Sequence, residues 1–272
     1  MRSVTERREA FREMHRAGCF LLPNPWDIGT AKYLAAQGFR ALATTSSGAA
    51  YARGLPDGGM DLAATLAHCT EIVGATGLPV NADFLHGFGA DAEGVRASVA
   101  QCLETGVAAL SVEDATGEAN RPLFPLEEAV ARMAAARRAC DAAPGRPLLV
   151  GRAECFLTGH PDPLAEALRR IAAYAEAGAE VLYVPGITTP EQITAVVRAA
   201  SPLPVNLLVH RPLGLTMEQI AALGVRRISL GGALSGVAWG AVARAVEEMK
   251  AGRFDALGTR MPGGELDRLF GG

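Results

Sequence analysis

Short apolar runs rich in branched residues recur along the chain. They fall at Cys19 to Leu22, Ala41 to Thr45, Pro79 to Asp83, Ala109 to Glu113, Leu148 to Glu154, Val181 to Val184, Val205 to Val209 and Arg227 to Leu230. Each is short enough for a buried strand, and each is followed by a loop and then an alanine-rich stretch with helical spacing. Those stretches are Leu62 to Thr76, Ala90 to Thr105, Leu126 to Asp141, Pro163 to Ala177, Pro190 to Ala200 and Thr216 to Leu223. Four joints repeat one design: AAQGFRAL, LETGVAAL, AEAGAEVL and AALGVRRI place a glycine where a helix needs a left-handed cap, then return to a strand. Repeated helix-to-strand joints predict a parallel sheet covered by helices on its outer face.

Eight such units could form an open doubly wound sheet, but that fold usually carries a glycine-rich phosphate turn after its first strand. Here the first strand runs into Pro23-Asn24-Pro25-Trp26, which favours closure into a (β/α)₈ TIM barrel. The 272 residues are close to the roughly 250 typical of that fold. One barrel domain over 1–272 is therefore expected, with 233–272 forming a C-terminal helical segment (helix Val237 to Lys250, then a polar tail).

Composition narrows the partners. Hydrophobic residues make up 49% and charged residues 20%, enough apolar surface to offset the entropy of ordering most of the chain. The net charge is −3, from 26 basic and 29 acidic side chains without a long basic run, which argues against nucleic acid. The stretch from Met1 to His15 reads as a charged helix rather than a signal peptide, and no apolar run approaches a membrane span. A cytoplasmic protein without a membrane partner is expected. The cysteines at 19, 69, 102, 140 and 155 show neither CxxC pairing nor metal-ligand spacing, so buried, reduced thiols are expected.

In a barrel of this kind catalytic groups project from strand C-termini. The polar residues there are Trp26 and Asp27, Ser46-Ser47-Gly48, Asn81 and Asp83, Glu113 and Asp114, Arg152 and Glu154, and Asn206 and His210. Side chains alternate along a strand, so Asn81 and Asp83 share a face. A carboxylate there and another on the neighbouring strand can share a hard cation such as Mg²⁺. The TTSSG run from Thr44 to Gly48 sets small hydroxyls and backbone N–H groups where an anionic oxygen can be held; a plain polar turn is the alternative reading.

In their order and spacing, LLPNPWDIGTAKYLAAQGFRAL, SSGAAYARGLPDG, NADFLHGFG, GVAALSVEDATG with RPLFPLEEAVARM, GRAECFL and RRISLGGAL resemble the isocitrate lyase and phosphoenolpyruvate mutase superfamily over nearly the whole chain. The resemblance implies that Ser47 and Gly48 form a carboxylate-binding turn, to which the strand-end positions add Trp26, Ser46 and Asn206 as substrate-binding candidates, and it implies a Mg²⁺ (or Mn²⁺) site at Asn81, Asp83 and Glu113 with Asp57 behind the direct ligands. It also implies that Arg152 grips the substrate carboxylate, and that the last helix is exchanged between subunits of a dimer or tetramer. The chain departs from the family at Asn81, where an Asp binding the metal directly is usual, and this leaves metal affinity open. His86 stands in the turn that replaces a threonine-glycine-tyrosine-glycine run and is a candidate acid or base; His160 and His210 follow other strands. Ala115 to Pro125 lacks the cysteine by which tricarboxylate lyases protonate their product.

The expected activity is cleavage of a C–C bond in a small 2-oxo or 2-hydroxy carboxylate through an enolate, by decarboxylation or retro-aldol chemistry. Chemistry at a C–P bond is the alternative, kept open by Asn120 and Thr116 in the gating loop; a carboxylate-binding protein without turnover is the third reading.

Overall fold

The computed structural model describes residues 2–271. Eight parallel strands form one sheet in the order β1 (Phe20–Leu22), β10 (Arg227–Ser229), β9 (Val205–Leu208), β8 (Val181–Tyr183), β7 (Leu148–Arg152), β4 (Ala109–Glu113), β3 (Val80–Asp83), β2 (Leu42–Ala43). The ladder ends at β1 and β2, but the Ala43 N–H donates to the Pro23 carbonyl at 3.0 Å and brings the two ends together. Asn24 secures the same seam: its Nδ2 donates to Thr44 O, and its Oδ1 accepts from the N–H groups of Leu230 and Gly231. The result is a nearly closed (β/α)₈ barrel.

Helices follow the strands because each has a start and a stop. Asp27, Asp61, Asp91, Asp162, Thr189 and Thr216 each accept a backbone N–H two or three positions into a helix, worth about 1 kcal/mol per cap. The four joint glycines stop their helices as expected: Gly38, Gly106, Gly178 and Gly224 have φ of 86°, 88°, 99° and 95°, a region that disfavours side chains.

Alternation along the strands divides two cores. Val80, Ala82, Leu110, Val112, Leu149, Leu182 and Ile228 point outward and pack on helix residues such as Ile72, Val99, Ile171 and Val196. Phe20, Leu22, Ala43, Val150, Val181 and Tyr183 fill the interior. Helix α1 (Val4–Met14), set by a Ser3/Glu6 capping box, closes the N-terminal end of the barrel: Phe11 and His15 meet Phe20 edge to face.

Several local expectations change. The TTSSG segment is not a plain turn: Thr45 caps a short helix, α3 (Ser46–Ala52). The loop after β4 is a hairpin of β5 (Ala115–Glu118) and β6 (Arg121–Leu123). The C-terminal helix α10 starts earlier, at Ala233, and runs to Lys250. In the tail, a further helix, α11 (Gly263–Phe270), packs on α2 (Ile28–Ala36) of the same chain. Four of the five free cysteines are buried, and Cys19 is partly so. No helix among the described residues is long and apolar enough to cross a membrane.

Candidate active site

The C-terminal ends of the strands surround a cavity of about 170 Å³. Its lining includes Ser46, Ser47, Asp57, Asn81, Asp83, Arg152, Asn206 and Arg227. Arg152, at the end of β7, occupies the centre of the rim. Its Nη1 lies 3.1 Å from both Asp83 Oδ1 and Glu113 Oε2, and its Nε donates to Glu154 Oε1. The guanidinium carbon stands 5.1 Å from the Tyr183 ring centre.

Three carboxylates around one guanidinium leave a surplus of negative charge. Burial pushes Glu113 well above the ordinary carboxyl range even though Arg152 pulls it down; Glu154 is raised for the same reason. For Arg152, burial disfavours the charge, but Glu113 and Glu154 more than reverse that and hold it firmly protonated.

Asp83 is fixed from two sides. Its own N–H donates to Thr44 Oγ1 at 2.8 Å, and its Oδ2 accepts the Ser46 N–H at 2.9 Å. The first residue of α3 therefore docks directly on the acid. Ser46 Oγ leans toward Asp57 Oδ1 at 3.4 Å, and Thr45 Oγ1 lies 3.2 Å from Ser47 Oγ. Gly232 permits this crowding: a Cβ there would stand 2.6 Å from Ser47 Oγ.

The donor set fits a hard divalent cation. Asp57 and Asp83 face one cavity with like charge, and Asp57 is raised by burial and by Asp83. Glu113 Oε2 is buried 3.1 Å from Arg152 Nη1 but accepts no well-aligned hydrogen bond. Among the described residues no three His, Cys, Asp or Glu side chains converge closely enough to enclose an ion. Two carboxylates completed by water match the way Mg²⁺ is usually bound.

Other expected residues lie apart from this centre. Asn81 reaches the cavity but turns its amide to neighbours: Oδ1 accepts from Arg227 Nη1 at 3.2 Å, and Nδ2 donates to Ala82 O. Asn206 does likewise, between Arg227 and Ser229. Gly48 is buried beneath the lining, where a Cβ would meet Thr45 and Trp26; Trp26 packs on it from outside the cavity.

His86 is drawn away by its own turn. Its Nδ1 accepts the Phe88 N–H, and its ring sits edge-on to Phe88 and Phe124. Leu85 and Phe88 take positive φ there, a strain of about 1–3 kcal/mol per residue. Arg132, donating to the carbonyls of Gly89 and Ala90, holds the turn in place. Asn120 is exposed at the tip of the β5–β6 hairpin. Asp114 serves the scaffold: it accepts from Arg170 Nη1, the Tyr174 hydroxyl and the Glu154 N–H.

Arg227 is the one charged residue of the cavity lining that sequence reasoning missed; the polar residues Asn24, Ser111, Tyr183 and Ser229 were missed with it. A usable signal was present in RRISL, because alternation places Arg227 on one face with Ser229 while Arg226 faces outward.

Comparison with known proteins identifies relatives across most of the chain. A structure from Burkholderia cenocepacia J2315, described as that of a candidate lyase/mutase, is 43% identical, with a TM-score of 0.95, over 99% of this chain and 98% of the other. Oxaloacetate decarboxylase of Rhodopseudomonas palustris (strain BisB5) is 34% identical over 72% of this chain and 67% of its own. A phosphonopyruvate hydrolase solved with oxalate and Mg²⁺ is 25% identical, with a TM-score of 0.84, over 99% and 95% of the two chains. The phosphoenolpyruvate phosphomutase family model matches residues 11–250, and the chain belongs to that family, within the PEP mutase/isocitrate lyase superfamily.

Proposed function

We propose that this protein is a lyase that breaks a C–C bond in a small 2-oxo or 2-hydroxy carboxylate through an enolate, with Mg²⁺ or Mn²⁺ as cofactor. The observation that carries the reading is the convergence of Arg152, Asp83, Asp57 and the start of α3 on one cavity. A guanidinium held in place before reaction stabilises negative charge as it develops on the substrate oxygen, without reorganisation at that moment. The hydroxyls of Ser46 and Ser47 hold the adjoining carboxylate. Leu22, Leu157 and Leu208 in the cavity wall keep water from the carbanion carbon. Asp57 and Asp83 would hold the divalent ion, which when bound supplies Lewis-acid polarisation of the substrate oxygens.

The identity to an oxaloacetate decarboxylase supports C–C over C–P cleavage. The test is release of pyruvate or another 2-oxo acid from a panel including oxaloacetate, methylisocitrate and phosphonopyruvate, with Mg²⁺ added and then chelated. Metal-dependent turnover of oxaloacetate or a relative is expected, with Asp83→Ala abolishing it. Turnover of phosphonopyruvate alone would replace the proposal with C–P chemistry, and binding without turnover of any acid would leave a carboxylate-binding protein.

Assembly of identical subunits belongs to the same reading. On α10 only Ser235 is buried, while Val237, Trp239, Val242 and Met249 are all about half exposed or more. Exchange of this helix between protomers would cover that face; sedimentation of the intact chain should show a dimer or larger, and a monomer at micromolar concentration would refute it.

A further inference from the structure

The cavity is lined by two arginines whose charges are treated oppositely. Arg152 has three acids. Arg227 is 2% exposed and, among the described residues, has no carboxylate within 4 Å. Its Nε donates to Asn206 Oδ1 at 2.8 Å, and its Nη1 donates to Asn81 Oδ1 at 3.2 Å and approaches His15 Nε2 at 3.4 Å. His15 uses Nδ1 for the Phe11 carbonyl, so Nε2 is the bare, accepting nitrogen of a neutral ring. Every partner of Arg227 is therefore uncharged. Its Nη2 has no hydrogen-bond partner among the described residues, and the residue lines the cavity.

An unpaired buried cation is strongly disfavoured, and native structures resolve it by pairing or by saturating the donors. Arg8, also buried without an acid, has a partner at each nitrogen: Nε, Nη1 and Nη2 donate to the carbonyls of Val107, Pro144 and Leu103. Arg227 is left with a free donor edge in the wall of the cavity. Residue 81 keeps it that way, because an amide accepts from the guanidinium without cancelling its charge, as a carboxylate there would.

We propose that Arg227 is a second anion subsite at the floor of the cavity, binding one carboxylate of a small dicarboxylate whose reacting end is presented to Arg152 and Asp83. The cavity lining holds two arginines and no other cationic side chain. The proposal deepens the lyase reading and rests on it for the location of the reacting end.

The test is calorimetric titration of the full-length protein, with Mg²⁺ present, using succinate as an unreactive dicarboxylate and acetate as the single-carboxylate comparison. Wild type should bind succinate at least tenfold more tightly than acetate. Arg227→Met should erase that preference. Asn81→Asp should erase it too, by pairing the arginine internally. A preference retained in both variants, or absent from the wild type, overturns the subsite. If Arg227→Met does not fold, Asn81→Asp and a crystal structure of the wild type with succinate decide: a carboxylate oxygen within about 3.2 Å of Arg227 Nη2 is required, and succinate held only at Arg152 refutes it. The lyase reading fails separately, by absence of 2-oxo acid release, which leaves the succinate titration intact.

Discussion

Rim and floor of the cavity each hold one buried arginine, yet they solve opposite electrostatic problems. At the rim Arg152 is the minority charge among Asp83, Glu113 and Glu154. At the floor Arg227 is surrounded by two amides and a neutral imidazole. The residue type is the same and both side chains are largely shielded, 15% exposed at Arg152 and 2% at Arg227, so what each guanidinium can do is decided by the neighbours that the fold brings to it. The rim arginine carries its charge among acids, and the floor arginine carries its charge among neutral groups and retains a donor edge.

The sharpest way to break this contrast is to remove the rim charge. Arg152→Met leaves three buried carboxylates without a cation, and loss of one partner of a buried ion pair costs about 3–5 kcal/mol. Denaturant titration should show that loss, and turnover should fall by a factor on the order of 10²–10³. Stability equal to wild type would mean that the acids are neutral without the arginine, and the contrast would collapse.

Acid addresses the floor next. Burial pushes His15 down to about 3, with Arg227 adding to it, and pushes His68 down to about 4, from the ordinary 6.5. The unfolded chain therefore takes up these protons first, so stability is complete above about pH 6.5 and falls as the pH drops toward 4. A shift of one pKa unit corresponds to about 1.4 kcal/mol, so each histidine accounts for a few kcal/mol by about pH 4. Melting temperatures measured across that window check the slope; a flat profile would mean that the two rings are charged in the native state.

Giving the floor its missing acid has a smaller effect. Asn81→Asp should raise stability by about 1.5–3 kcal/mol, the range for hydrogen bonds to charged groups, read from the denaturation midpoint; a decrease would show that Arg227 needs the amide.

The smallest change lies behind the rim. Both ring nitrogens of His68, on α4 (Leu62–Ala75), are buried without partners. Replacement by leucine should stabilise the protein by about 1 kcal/mol and flatten its acid slope. Destabilisation would instead reveal an ordered water serving that ring.

Much of the frame was legible before any tertiary contact was known. The helix-to-strand glycines needed only local backbone physics, and the alternation that turns Asn81 and Asp83 inward follows from the strand period. Less legible was the segment from Ser46 to Ala52, whose small, weakly helical residues read as a turn; Thr45 capping and the bond from the Ser46 N–H to Asp83 make it a helix. His86 sits at a strand end like the other candidates, but Phe88, Phe124 and Arg132, the last of them 46 positions further along the chain, fix its turn and orient its ring.

The sequence by itself determined the eight strand–helix units, their parallel arrangement and the rim on which Ser46, Asp83, Glu113 and Arg152 meet. These depend on periodicity, caps and turn glycines, which act within a few residues. Only the tertiary structure decided the charge state around each group: that three acids surround Arg152, that Asn81 faces Arg227 rather than a shared acid cluster, and that no acid reaches the floor. Those outcomes depend on distances between strands far apart in the chain, and on how little water reaches them, and neither quantity is written in local pattern.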